Sequence, residues 1–436
     1  MAEEGFLKLS IEIPLEKKGD DRMKIGEFSA RFQAQPETVR FYVNKGLLIP
    51  VSKHGRYIFS AQDIEDMETL LKLKAMRFSL ADIHRMLSLK RLSNLDSAEE
   101  LHDYVNILKK QKKLLTREKK QLEEIISNLE HEITHAAGKH AGKVSRLTGV
   151  PLSFLPFLAC PHCQSRLSIS NCQIEEDQIL NGMLTCACGY QATIQNGIII
   201  GQPGEISIFD GPDVERNCYR MMSPSLITLM QKNYLWLLER LEKCQPKGKL
   251  ILEDHINDYC ICHANFEFME KDAFYIITDK FPEIVAMYKG LIDKMNLERN
   301  VLYIAAGSHL LPLREHCVDI YIDMAVNEYA IFHHGYSTDP LARYFHQGTS
   351  AVGAFWHFDP RSASMAELRR QYPENWEKNF DIRYFRGYLQ QRWQQLIDFE
   401  ELGSVTDSGD EDSFSYHIPG EKLSLTTYYT RGFRQE

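Results

Sequence analysis

Apolar positions near the start of the chain recur at helical spacing. Ile25, Phe28 and Phe32 share one helical face, and Val39, Tyr42 and Val43 share the next. Gln35 interrupts the pattern, Pro36 suits the first turn of a helix, and Gly46 can close the second helix with a positive φ. Two short helices across a tight turn predict a helix-turn-helix. In VSKHGRYIFS, Gly55 stands between basic and β-favouring residues, which predicts a hairpin or wing. Residues 60–76 and 79–87 predict two further amphipathic helices, the first with Asp63 in its opening turn.

Farther along, the period lengthens to seven. Leu101, Leu108, Leu115, Leu122 and Leu129 form an unbroken heptad series, with Val105, Ile126 and Ile133 at the complementary position and Lys112 and Lys119 between them. Such a pattern predicts a coiled coil, and seam lysines can fix register or partner orientation at some cost in stability. A helix from Ala98 to His135 would extend roughly 55 Å at about 1.5 Å per residue. Its end carries His131-Glu132-Ile133-Thr134-His135, formally a zinc-protease pattern. Ile133 belongs to the seam and no third ligand is near in sequence, so coincidence is the better reading. HAAGKHAGK then reads as an exit from the helix.

The second half changes character. Residues 167–185 alternate as short strands do, and NGIIIG supplies another. From Lys247, strand-like runs (KLILED, AFYIITD, VLYIAA, VDIYIDM, SAVGAFWHF) alternate with helical stretches, and LSLTTYYT supplies a late strand. That alternation predicts a doubly wound α/β sheet.

Composition adds limits. The 436 residues are 44% hydrophobic and 25% charged, which excludes wholesale disorder and a small disulfide scaffold. No apolar run approaches the roughly 20 residues of a membrane helix. The first residues carry no export pattern, so the expected compartment is the cytoplasm and no membrane partner is expected. Residues 1–22 read as a polar extension with one strand-like stretch, FLKLSIEI. Charge is unevenly spread: residues 23–92 hold twelve Lys or Arg against seven Asp or Glu, so this block is +5 while the rest of the chain, with −9 overall, is −14. A basic module on an acidic body points to a nucleic-acid partner.

All ten cysteines follow residue 159. In a reducing compartment they favour metal ligands or buried thiols over disulfides. Cys160-Pro-His-Cys163 and Cys186-Ala-Cys188-Gly189 can supply four thiolates to one tetrahedral ion, with Cys172 and His162 as substitutes. Four protein thiolates favour a structural zinc over a catalytic one.

Three resemblances follow from these residues. KIGEFS, PETVRFYVNKGLLIP, HGRYIFS, the Asp-Ile of SAQDIEDM and LKAMRFSLADIHRML make residues 23–92 resemble the MerR family of bacterial transcription regulators. The resemblance implies that Thr38, Arg40 and Tyr42 face promoter DNA and that a wing bearing Lys53, Arg56 and Tyr57 grips phosphates. The family's Tyr-Arg order in the wing is reversed here as Arg56-Tyr57, so which of the two touches DNA stays open. It further implies an antiparallel homodimer through the leucine-spaced helix and action on RNA polymerase. The family's metal sensors carry Cys around that helix, and none is present here. The cysteine segment is similar to the zinc ribbons that accompany many methyltransferases.

The C-terminal 190 or so residues resemble class I S-adenosylmethionine-dependent methyltransferases. Asp279 ends the strand whose acid would hold the cofactor's ribose. Two features depart from that family. The turn after the first strand, Glu253 to Asp258, has no glycine to let the backbone approach the cofactor. Gly307 stands where an acid beside the adenine is expected. These changes argue against methyl transfer, and no catalytic residue is assigned. His333, His334, Asp319 and Asp323 read as strand-end and helix-surface residues, not metal ligands.

The expected whole is multidomain. It comprises an extension (1–22), an α winged helix-turn-helix (23–92), a coiled-coil dimerisation helix (96–137), a small zinc ribbon (150–203) and an α/β doubly wound Rossmann-like methyltransferase-type domain (210–436). The expected function is a dimeric DNA-binding transcriptional regulator whose body is a sensor of a small-molecule effector or an interaction module. The alternative is an active methyltransferase fused to a DNA-binding domain.

Overall fold

The computed structural model describes residues 22–93, 95–138, 148–206, 210–257, 259–324, 326–374, 377–409 and 414–435. The stretch FLKLSIEI and most of the exit from the leucine-spaced helix lie outside them. The chain divides into two compact units, Met1–Gly142 and Lys143–Glu436.

In the first unit, helices Ile25–Arg31 and Pro36–Asn44 form the expected pair, and Gly46 follows the second with a φ of 70°. Strands Val51–Lys53 and Arg56–Phe59 form the wing, joined by His54 and Gly55 at φ 48° and 74°. Two consecutive positive φ values suit a two-residue hairpin turn whose twist matches the strands. Met23–Lys24 adds a third strand against Arg56–Phe59 that the pattern did not announce. Helix Ala61–Ala75 opens on a reciprocal cap between Ser60 and Asp63, and Asp63 also accepts the Ile49 N–H at 3.2 Å. Phe28, Val39, Leu47, Phe59, Met67, Leu70, Ile83 and Met86 make the core.

Ala98–Gly138 is one continuous helix of 41 residues. Tyr104, Ile107 and Leu108 pack on that core. Beyond them the seam lies open within the chain: Leu122, Leu129 and Ile133 are 53%, 57% and 67% exposed.

The second unit is built on one twelve-stranded sheet. Its body strands are β1 (Leu250–Glu253), β2 (Phe274–Asp279), β3 (Asn300–Ala305), β4 (Val318–Asp323), β5 (Phe345–His357), β6 (Trp393–Val405) and β7 (Leu423–Phe433). They lie in the order 3-2-1-4-5-7-6, parallel except that β7 runs antiparallel to both neighbours. This is the arrangement of a class I methyltransferase sheet, and its switch point falls between β1 and β4. Near-continuous apolar runs such as Leu250-Ile-Leu and Tyr275-Ile-Ile are buried on both faces, as a covered parallel sheet requires.

The cysteine-bearing strands do not stand apart. Ser168–Glu175, Gln178–Thr185, Gln191–Gln195 and Ile198–Ile200 form an antiparallel meander, and Ile198–Ile200 pairs in parallel with β3. Ribbon and body therefore share one sheet. No helix among the described residues is long and apolar enough to cross a membrane.

Candidate functional site

Three places carry chemistry. On the reading head, Arg40 is exposed and pairs with Glu37 at 3.5 Å. Phe41, Asn44 and Lys45 share exposure along the same helix, with the Lys45 ammonium 5.9 Å from the Phe41 ring centre. Thr38 is half-buried. Tyr42 is only 3% exposed; its ring joins the core and its hydroxyl accepts a hydrogen bond from Lys74 at 3.0 Å. The expectation that Tyr42 faces outward beside Arg40 therefore does not match its placement. At two positions beyond Arg40 it lies around the helix, on the same face as Val39, and a tyrosine ring gains more by burial there.

In the wing, Lys53 and Arg56 flank the turn and are exposed, while Tyr57 is half-buried against the core. Arg91 was not singled out by the sequence reading. It is clamped to Asp66 (2.9 Å) and to the Gly46 carbonyl (3.1 Å), fixing the loop that follows helix Pro36–Asn44. Only its distant spacing to that loop hides it in the sequence.

The second place is the cysteine cluster. The Sγ atoms of Cys160, Cys163, Cys186 and Cys188 all lie within 4.8 Å of one another, with Cys160–Cys188 and Cys163–Cys186 at 3.4 Å. Thiolates about 2.3 Å from a tetrahedral zinc would stand roughly 3.8 Å apart, so the set fits such an ion. Each knuckle is a turn closed by backbone bonds, Gln164 N–H to the Cys160 carbonyl and Gly189 N–H to the Cys186 carbonyl. Hydrogen bonds from Ser165, then from Cys186 and Cys188, bring the Cys163 thiol down to about 6, while the thiols of Cys186 and Cys188 are shifted up. Cys172 bonds a backbone carbonyl and His162 faces Gln202, so neither belongs to the cluster. His131, Glu132 and His135 are exposed on their helix, and the cysteines are the one metal-competent group among the described residues.

The third place is the crevice at the carboxyl ends of β1, β2 and β3. Glu253 ends β1 fully buried and accepts the Cys262 N–H at 2.9 Å. His255, where a glycine would serve a nucleotide, holds a φ of 55° and bonds Ser308 at 3.1 Å. Asp279 accepts the Asn257 N–H at 3.0 Å and the Phe281 N–H at 2.9 Å, so its carboxylate ties the first turn to the second strand.

Above these residues runs the connector from the ribbon. Gly201 N–H bonds the Ala305 carbonyl (2.9 Å), and Gly307 N–H bonds the Gln202 carbonyl (3.0 Å). Farther on, Asp210 forms a buried ion pair with Lys280, and the Asn257 amide bonds the Gly211 carbonyl at 3.1 Å. Gly307 therefore serves close backbone packing. These residues fit S-adenosylmethionine poorly: the glycine turn is absent, backbone N–H groups of Asn257 and Phe281 already bond both oxygens of the ribose acid, and the connector narrows the strand ends to a cavity lined by Gly204, His255, Lys280 and Gly307.

His333 lines a cavity of about 330 Å³ beside His255, Lys280 and Tyr329. Burial, then the nearby Lys280 charge, brings its imidazole down to about 4, so it is neutral at physiological pH. Asp319 and Asp323 sit at opposite ends of β4. Asp319 accepts the Leu250 N–H at 2.8 Å, and Asp323 accepts from Ser337 and Tyr428 at 2.7 and 2.6 Å. They do not converge on a metal.

Residues 23–90 match the model of the MerR HTH family regulatory protein. No curated protein sequence matches the chain. Among solved structures, HiNmlR, a MerR family regulator lacking the sensor domain and bound to promoter DNA, is 20% identical and covers 28% of this chain and 94% of its own, with a TM-score of 0.22. The MccD protein is 13% identical, covering 45% of this chain and 96% of its own at a TM-score of 0.34. Phosphoethanolamine N-methyltransferase 2 of Haemonchus contortus is 11% identical, with 46% and 52% covered and a TM-score of 0.33. Residues 23–90 thus carry a MerR-type DNA-binding helix-turn-helix, and the strand order of the body is methyltransferase-like.

Proposed function

We propose that this chain is a homodimeric, cytoplasmic transcriptional regulator of the bacterial type that binds promoter DNA sequence-specifically. In this reading its methyltransferase-like body works as a sensor or interaction module and not as an enzyme. The observation that carries the body's role is the closed crevice: Asp279 is bonded by Asn257 and Phe281, and Gly307 is covered by the connector.

Arg40 reads a base edge or phosphate, since a guanidinium binds either in a forked geometry. Thr38 stands beside it, and Lys53 and Arg56 grip phosphates from the wing, with Tyr57 bracing the wing from below. Tyr42 supports the helix from the core and presents Lys74. The seam of Leu101, Leu108, Leu115, Leu122 and Leu129, open at Leu101, Leu122 and Leu129, buries itself against a second copy, whose reading head takes the other half of a pseudo-palindromic site. Contact with RNA polymerase follows from the same reading. A zinc held by the four cysteines locks the ribbon as a structural ion.

Selection from a random DNA pool by the purified full chain tests this. Two inverted half-sites should be enriched, and Leu122→Asp with Leu129→Asp should reduce the protein to monomers and abolish the paired pattern. Retention of DNA with no enriched sequence would contradict the reading.

A further inference from the structure

The long helix Ala98–Gly138 meets its own reading head along one stripe. Tyr104, Ile107 and Leu108 pack on the head's core, and Gln111 follows one turn later. These positions recur at intervals of three and four residues, so they share one helical face. The Gln111 side-chain amide donates to two successive carbonyls, that of Met76 at 3.0 Å and that of Arg77 at 2.9 Å. Two turns farther along, Glu118 accepts a hydrogen bond from the Arg77 guanidinium at 3.2 Å. Beyond Leu115, every residue up to His135 is exposed.

The segment that Gln111 holds is itself constrained. Helix Ala61–Ala75 ends in a double closure: the Phe78 N–H bonds the Leu73 carbonyl at 3.2 Å, and the Arg77 N–H bonds the Lys74 carbonyl at 2.9 Å. That closure puts Arg77 in the left-handed region, at a φ of 60°. Glycine takes this position without steric cost, whereas a side chain stays there only where its surroundings fix it. Phe78, 7% exposed, anchors the turn in the core, while Gln111 and Glu118 hold Arg77 from the long helix. The Arg77–Glu118 pair is exposed at both ends, so it adds little to stability. A left-handed arginine under three separate restraints serves geometry more than stability.

We propose that Arg77, Gln111 and Glu118 form the joint that fixes the angle between reading head and dimer helix, and that this joint selects the separation between the two half-sites. The inference deepens the homodimer reading and rests on it. Leu129 lies about 27 Å beyond Gln111 at about 1.5 Å per residue, so a tilt of about 7° at the joint moves it by about 3.4 Å, the rise of one base pair. A looser joint therefore accepts half-sites one base pair nearer or farther apart. Arg77 and Gln111 are positioning residues, acting through the head that carries Arg40.

Gel shifts of the full chain on the selected paired site, and on the same site with one base pair added or removed between its halves, test this. The native protein should lose about tenfold or more in affinity on the altered sites, and Gln111→Leu and Arg77→Gly about twofold or less. All three proteins should bind a duplex carrying a single half-site equally. Arg77→Gly should melt no lower than the native protein, since glycine relieves the left-handed backbone. A merely structural role would lower the melting temperature and keep the spacing preference. Variants that keep the native preference, or that bind the single half-site unequally, would overturn the joint and leave the dimer standing. A native protein indifferent to the spacing would overturn the dimer reading and the joint with it.

Discussion

Gly307 and Gly204 meet backbone to backbone: a Cβ on Gly307 would stand 2.8 Å from the Cα of Gly204. The glycine that replaces an expected acid is thus required by the connector crossing it. Restoring the acid as Gly307→Asp should lower stability by about 1–3 kcal/mol, through overpacking and a carboxylate pressed into a filled space. Denaturant unfolding checks this. Unchanged stability would mean that the connector does not lie there in solution.

The four cysteines predict about one zinc per chain after metal-replete purification, measured by elemental analysis. Cys160→Ser should remove it, because Cys160 is the buried member of the set. The ribbon shares its sheet with β3, so chelation should lower the unfolding temperature while leaving the body folded, with its circular dichroism largely kept. Collapse of the whole unit on chelation would mean that the body's sheet depends on the ion for its fold.

The reading head predicts two kinds of DNA-binding loss. Arg40→Ala should cost about 1–3 kcal/mol on the selected site and relax its sequence preference if Arg40 reads a base. Lys53→Ala and Arg56→Ala should weaken binding to all sequences alike and each lower the salt slope by about 1. Gel shifts across a salt series separate these effects, and an Arg40→Ala protein that binds as tightly as the native one would remove that assignment.

Asp323 predicts a pH dependence. Its complete burial lifts the carboxyl to about 6 from 3.8, against the pull of Tyr428, Ser337 and Tyr321. A raised folded-state value favours folding most below the unfolded value, and that contribution is lost as pH rises through about 6. Between about pH 4 and pH 7 the native protein should therefore lose up to about 3 kcal/mol relative to Asp323→Asn. Parallel stability curves would show that Asp323 does not titrate in this window.

Local signals were the legible ones. The helix pair, the wing turn at His54-Gly55 and the apolar strand runs depend on neighbouring residues, and they appear where the pattern put them. The doubly wound α/β class was legible because the alternation of strand-like and helical runs was strong, whereas the edge strand Trp393–Val405 was not announced. Features made by distant contacts stayed hidden. Whether Tyr42 points out or in depends on Lys74 and the core beneath it, and Arg91 reaches a carbonyl 45 residues away. The connector explains why the glycine turn could be lost: Asn257 and Gly307 bond chain segments that no nearby pattern announces. The ribbon's continuity with the body sheet rests on a three-residue strand, Ile198–Ile200, read in the sequence only as a short apolar run.

The central claim is that a DNA reader is joined to a methyltransferase fold whose cofactor crevice is closed by its own chain. Calorimetric titration of the full chain with S-adenosylmethionine tests it most directly. No saturable heat and no shift in unfolding temperature are expected, because Asp279 and the Gly307 backbone already have partners. Binding of about one cofactor per chain at micromolar affinity would mean that the connector yields to a nucleoside, and would contradict the account.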